Sequence, residues 1–275
     1  MHARMIVEDA THAALVDRLI RRVLEEVIQR HDAGHWLTLR DTEHWFEGAE
    51  DSMSWQGRQH LLPPMGHVLW DSHGDATAAS EAWLQDSRLR RPSLRGTFEG
   101  KPLGAEALRW RLRLMSAIAA GAELVVIGVD TDGDEDKIEP VNLAVKQFQD
   151  VLILIAAPHQ DAEAWLLAGL GELEPHERAR HAEVRQELGF DPLQHPHRLT
   201  AHPNEAPTDA KRVLQRILAD SRVSRSIPAE ELAHWIARCF KDLDALQRVG
   251  EPCGLNAFVG AVRAELAPRL NLPPG

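Results

Sequence analysis

The stretch ELVVIGVDTDGDED, residues 123–136, constrains this chain more than any other. Its first half is a continuous apolar run of β-forming residues with no polar alternation. Such a strand is buried on both faces, as strands inside parallel sheets are. A second run of the same kind, VLILIAAP, follows at 151–158. Parallel neighbours need a crossover connection. Helix-forming segments supply it: GAEALRWRLRLMSAIAAGA before the first run, KIEPVNLAVKQFQD between the two and QDAEAWLLAGLGEL after the second. The alternation predicts an α/β fold, a parallel sheet flanked by helices.

Upstream, ARMIVED reads as a short strand ending near Val7. THAALVDRLIRRVLEEVIQRH then sets Leu15, Leu19, Val23 and Val27 at helical spacing, with Thr11 as N-cap. Residues 32–103 are irregular. GHWLTLRD could supply a strand, and MSWQGRQHLLPPMGHVLWDSHGDATAAS reads as loops with short elements. RLRRPSLRGTFEGKPLG is the most basic segment, a solvated loop or, functionally, a phosphate-facing one. Past residue 171 the pattern is helical: EPHERARHAEVRQEL, then TDAKRVLQRILADS, PAEELAHWIARCFKDLDALQRV and GLNAFVGAVRAELAPRL. The expected organisation is a core over residues 1–170, with an irregular insertion at about 32–103, and a helical C-terminal region over 171–275 packed on it.

With 275 residues, 44% of them hydrophobic, the chain has ample core. A net charge of −11 argues against nonspecific coating of polyanions. Contact with nucleic acid would have to be local, or bridged by metal. The two cysteines, Cys239 and Cys253, form no zinc or disulfide pattern. The N-terminus lacks an apolar signal core, and no run of 18 apolar residues occurs. A cytoplasmic protein without a membrane partner is expected.

The acidic half of the opening stretch starts where its strand should end. Ligands of open parallel sheets bind at the carboxyl ends of strands. Asp130 and Asp132, at i and i+2, can present two carboxylates to one side, and oxygen-only sites suit Mg2+ or Mn2+. Asp and Gly are also ordinary turn residues, so a solvated turn fits the same letters. An EF-hand loop does not, because Glu135 and Val141 stand where Gly and Glu are needed. A phosphatase with Asp130 as nucleophile is a further alternative.

Glu8 also ends a strand, directly before a helix. IVEDATHAALVDRLI, ELVVIGVDTDGDED and APHQDAEAWLLAGL, in that order, resemble the motifs of the topoisomerase–primase (TOPRIM) domain. They are most similar to those of overcoming-lysogenization-defect nucleases and their small bacterial relatives. EAPTDAKRVLQRIL resembles the Pro-x-x-Lys helix found there. Asp9 stands where the first motif often has Gly.

The resemblance implies a TOPRIM-like sheet with a helical C-terminal extension and metal-dependent cleavage of nucleic-acid phosphodiesters, DNA before RNA. It implies Mg2+ or Mn2+ held by Glu8, Asp130 and Asp132, with Asp134 and Glu163 as further ligands. Glu8, Asp130, Asp132 and Lys211 would be the catalytic group, with Glu8 as ligand or general acid/base and Lys211 on phosphate. Glu135 and Asp136 are expected to be solvated and Trp165 to be core. No Walker A motif is present, so the ATPase of the full-length relatives would be a partner chain. A homodimer and a role in bacterial defence fit the same resemblance. The non-enzymatic alternative is a TOPRIM-shaped binding or regulatory subunit.

Overall fold

The structure, a computed structural model, describes residues 2–31, 54–56, 70–86, 97–98, 101–201, 206–218 and 229–270. Its strands are β1 (His2–Val7), β2 (Ser54–Gln56), β3 (Asp71–Ser72), β4 (Thr97–Phe98), β5 (Lys101–Pro102), β6 (Leu124–Gly128) and β7 (Leu152–Ala156). Its principal helices are α1 (Ala10–His31), α2 (His73–Asp86), α3 (Ala105–Ala119), α4 (Glu139–Val145), α5 (Ala162–Gly169) and α6 (Pro175–Leu188). After these come α7 (Ala210–Leu218), α8 (Ala229–Cys239), α9 (Leu243–Gly250) and α10 (Leu255–Ala261).

The two apolar runs pair with each other and with β1, all in parallel. The sheet order is β2-β1-β6-β7, with β3 also on the outer side of β1. Alternate side chains go to opposite faces. Ala3, Met5, Val7, Leu124, Val126, Leu152 and Leu154 share one core with α1. Ile6, Val125 and Ile127 share the other with Trp110 and Leu114 of α3 and Val141 and Ala144 of α4. The fold is thus α/β, a parallel sheet with helices on both faces.

Helix α1 is buried on nearly every side, because Ala13, Ala14, Leu15 and Val16 are all fully covered. The sheet covers one side and the C-terminal helices cover the rest. Arg22 donates to the carbonyls of Phe240 at 3.1 Å and Lys241 at 3.3 Å. Arg263 binds Glu26, and it donates to Gln247 Oε1 at 3.0 Å. Residues from α7, α8, α9 and α10 belong to the same hydrophobic core as β1 and α1.

Trp165 of α5 lies at the centre of this packing. It is fully buried, stacks on Phe258 with ring centroids 5.9 Å apart, and donates Nε1–H to the Cys253 carbonyl at 2.7 Å. Trp165→Ala removes the ring and strands that carbonyl. Urea denaturation should show a loss of about 4 kcal/mol.

Four sequence expectations change. The cap of α1 is Asp9 rather than Thr11: its Oδ1 accepts the His12 N–H at 2.9 Å and its carbonyl the Ala13 N–H at 3.1 Å. The segment read as loops with short elements ends in the first half of α2, a 14-residue helix running on to Asp86, and its short strands β2 and β3 extend the sheet beyond β1. Ser72 and Asp75 start α2 by a reciprocal cap: the Asp75 N–H donates to Ser72 Oγ at 3.0 Å and the Ser72 hydroxyl to Asp75 Oδ2 at 2.9 Å. The segment PAEELAHWIARCFKDLDALQRV is two helices, α8 and α9. Asp242 ends the run by capping the second, accepting the Ala245 N–H at 2.9 Å. In the basic connection, β4 and β5 pair as an antiparallel ladder. Residues 88–96 and 99–100 of that connection, and GHWLTLRD, lie outside the described residues. Among the described residues, no helix is long and apolar enough to cross a membrane.

Candidate functional site

All strands of the main sheet run the same way, so their carboxyl ends share one edge. Ile6 pairs with Ile127, and Gly128 with Ala156. Beyond that level the chain passes into Glu8 after β1, Asp130 after β6, and Asp161 and Glu163 after β7.

Asp130 is a strongly perturbed carboxyl at this edge. Its side chain is 13% exposed, and Oδ1 is buried without a hydrogen bond. Burial first, then the charges of Asp161, Glu8, Glu163 and Asp9, push it up to about 10. Glu163 is buried in the first turn of α5 and is likewise raised well above the usual range, by burial and by Asp161. Lys211 Nζ lies 3.8 Å from Glu163 Oε1 and pulls the other way. The Lys211 ammonium is in turn stabilised, by Glu163 first and then by Asp9, Asp161 and Asp209, against partial desolvation. Glu8 is exposed at the rim. Partial desolvation raises it, with Asp132 and Asp9 adding, against the Asp130 amide and Lys137.

The structure therefore brings Glu8, Asp130, Glu163 and Lys211 into one electrostatic cluster. Asp161 and Asp9 join it, and sequence reasoning had named neither as a site residue. Asp161 had a signal, since Asp161-x-Glu163 repeats the acid-x-acid spacing of Asp130-x-Asp132.

Asp132 and Asp134 stand further out. Among the described residues, Asp132 is the non-glycine residue with positive φ, at 50°. Its amide donates to the Gln160 carbonyl at 2.9 Å and its carboxylate pairs with Lys137. Its charge reaches Glu8 from there. Asp134 caps the following turn, with Oδ1 accepting the Asp136 N–H at 3.0 Å. Glu135 and Asp136 are exposed.

The acidic loop is not loose. The Val129 amide donates to Ala156 O at 3.0 Å, Thr131 to Pro158 O at 3.1 Å and Gly133 to His159 O at 2.8 Å. The Thr131 hydroxyl also donates to His159 O. The β6–β7 pairing is in effect prolonged past the strand ends, and this fixes Asp130 and Asp132 relative to Asp161.

Two histidines bracket Gly128. His12, in the first turn of α1, is 1% exposed, and burial pulls it down to about 4, so it is neutral. Its Nδ1 lies 3.7 Å from Asp130 Oδ1. His73, at the start of α2, has Nε2 2.9 Å from the Gly128 carbonyl and is also lowered to about 4, chiefly by burial.

Among the described residues, no three His, Cys, Asp or Glu side chains already form a group that could hold a metal ion. The donors nonetheless suit a hard divalent cation in kind. They are carboxylates, they crowd negative charge where the sheet ends, and Asp130 Oδ1 is an oxygen without a partner. No protein-family model matches the chain, and neither a curated protein nor a solved structure matches it.

Proposed function

We propose that this chain is a metal-dependent phosphodiesterase of TOPRIM type that cleaves nucleic acid. The supporting observation is Asp130: a buried carboxyl with an unpartnered oxygen, within the electrostatic reach of Glu8, Asp9, Asp161 and Glu163 at the carboxyl edge of a parallel sheet. A protein gains nothing for its own stability by crowding carboxyls this way. A bound cation and a phosphate are what such a cluster suits.

Asp130 and Glu8 would hold Mg2+ or Mn2+, with Glu163 and Asp161 next along the edge and Asp132 and Asp134 at the outer rim. When bound, the ion would neutralise phosphoryl oxygens and lower the pKa of an attacking water. Glu8, raised yet exposed, can accept a proton from that water or give one to the leaving oxygen. Lys211, exposed and held cationic by the acids, can contact the phosphate. On this reading nucleic acid is the partner, DNA before RNA, ATP hydrolysis belongs to another chain, and the protein works in the cytoplasm.

The test is cleavage of plasmid DNA and of structured RNA in Mg2+ or Mn2+. The wild type should cut at least one substrate, EDTA should stop it, and Glu8→Gln should reduce the rate by about 100-fold. Equal rates for the two proteins would remove Glu8 from the mechanism. Tight substrate binding without metal-dependent cutting would favour the binding-subunit alternative.

A further inference from the structure

His12 has no counterpart in the carboxylate reading of the site. Its imidazole is 1% exposed, and neither Nδ1 nor Nε2 has a hydrogen bond. One of the two nitrogens carries a proton and the other a lone pair, so the ring buries an unmet donor and an unmet acceptor. Native interiors rarely tolerate that without a reason.

The surroundings show that the ring is seated deliberately. Gly128 lies against it: a Cβ there would fall 2.7 Å from His12 Nε2, 2.9 Å from Cε1 and 2.8 Å from Val7 Cγ1. The glycine that interrupts the apolar run LVVIG is therefore the space the imidazole occupies. Asp9 fixes the turn that carries it, accepting the His12 amide at 2.9 Å. The ring then presents Nδ1 to Asp130 Oδ1 at 3.7 Å, and that oxygen is itself buried and unpartnered. This spacing is too long for a hydrogen bond. It is near the separation of two donors on one cation, roughly 3.0–3.4 Å for metal–ligand bonds of about 2.1 Å.

We propose that His12 is a nitrogen ligand of the cation held by Asp130, so that the site is a mixed nitrogen–oxygen one that prefers Mn2+ to Mg2+. The inference rests on the metal reading of the acidic edge given above. One ion between Nδ1 and Oδ1 satisfies both of these atoms at once and leaves only the ring's Nε2–H unmet. Imidazole binds first-row transition ions far better than Mg2+, so the residue also sets metal choice.

The experiment loads the 275-residue chain with Mn2+ and records electron spin-echo modulation, which reports directly bonded nitrogen. The wild type should show imidazole 14N modulation. His12→Asn, which keeps a polar side chain but no imidazole, should lose it, and its Mn2+ affinity should fall by about 100-fold. Its Mg2+ affinity should change far less. Bound Mn2+ without nitrogen modulation in the wild type would overturn the assignment and leave the carboxylate site standing. Modulation that persists in His12→Asn would also overturn it. No Mn2+ binding by the wild type would overturn both this assignment and the metal reading beneath it. The wild-type spectrum decides even if the variant folds poorly.

Discussion

Asp130→Asn should reduce metal-stimulated cleavage by about 1000-fold, and it should make the metal-free protein more stable in mild alkali. The loss of rate follows from removing the central carboxylate of the acidic edge. The gain in stability follows from the direction of its shift. The folded state keeps the Asp130 proton up to about 10, whereas an unfolded Asp releases it near the ordinary value of 3.8. Between those values the folded state binds more protons, so the stability of the metal-free protein falls as pH rises. Glu163 shifts the same way, for the same reason, and keeps its contribution in the variant.

His12 and His73 have the opposite sign. Both are lowered to about 4, so they cost stability as pH falls from 6.5 toward 4, and they are neutral in both states above that window. From neutral pH upward the acids set the slope, and nearer 9 the buried Cys239 and Cys253 thiols, both pushed up to about 12 by burial, add to it in the same direction. Melting curves in EDTA should therefore show the wild type losing Tm from neutral pH to mild alkali. Asp130→Asn should have a shallower slope and a Tm higher by about 5 °C at the alkaline end. A lower Tm with the wild-type slope would mean that the carboxylate serves the fold rather than a cation.

Gly169→Ala should be the most damaging single-methyl change in the packing of the C-terminal region. Gly169 ends α5 where that helix meets the last turn of α8. A Cβ on it would lie 2.1 Å from the Cys239 carbonyl oxygen, 2.8 Å from its carbon and 3.0 Å from Leu246 Cδ1. The obstacle is backbone, so no side-chain rotation relieves it, and the two helices must separate. The contact ties the helix that follows β7 to helices that enclose α1, so the strain spreads into the main core. A loss of about 3 kcal/mol is expected, with Tm falling by roughly 10 °C. Urea denaturation with an unchanged midpoint would show that α5 and α8 do not pack this closely.

The elements that were legible in the sequence are those built on continuous apolar runs. LVVIG is buried on both faces; LILIA, at the sheet edge, is buried on one face and half-buried on the other through Ile153 and Ile155, and the parallel pairing of the two follows from the helix between them. The turn after β6 was legible as a site because four aspartates follow a buried strand. Helix α2 was not legible: HGDATAASEAWLQD has little apolar stripe, and its Ser72–Asp75 cap sits among Gly and His residues that suggest a loop. His12 and Gly128 were hidden for another reason. They are 116 residues apart in sequence, and only the β1–β6 register brings the α1 histidine over the β6 glycine. Asp161 was visible in spacing, but its role depends on the loop pairing that carries it beside Asp130.

Uptake of Mn2+ by the metal-free wild type, followed by calorimetry in buffers of different ionisation enthalpy, tests the acidic edge most directly. Asp130 holds a proton in the folded protein near neutral pH, so binding should be accompanied by proton release, and Asp130→Asn should lose both the uptake and the release. Wild-type protein that takes up no Mn2+, or an Asp130→Asn variant that binds it equally well, would contradict a cation site at the end of β6.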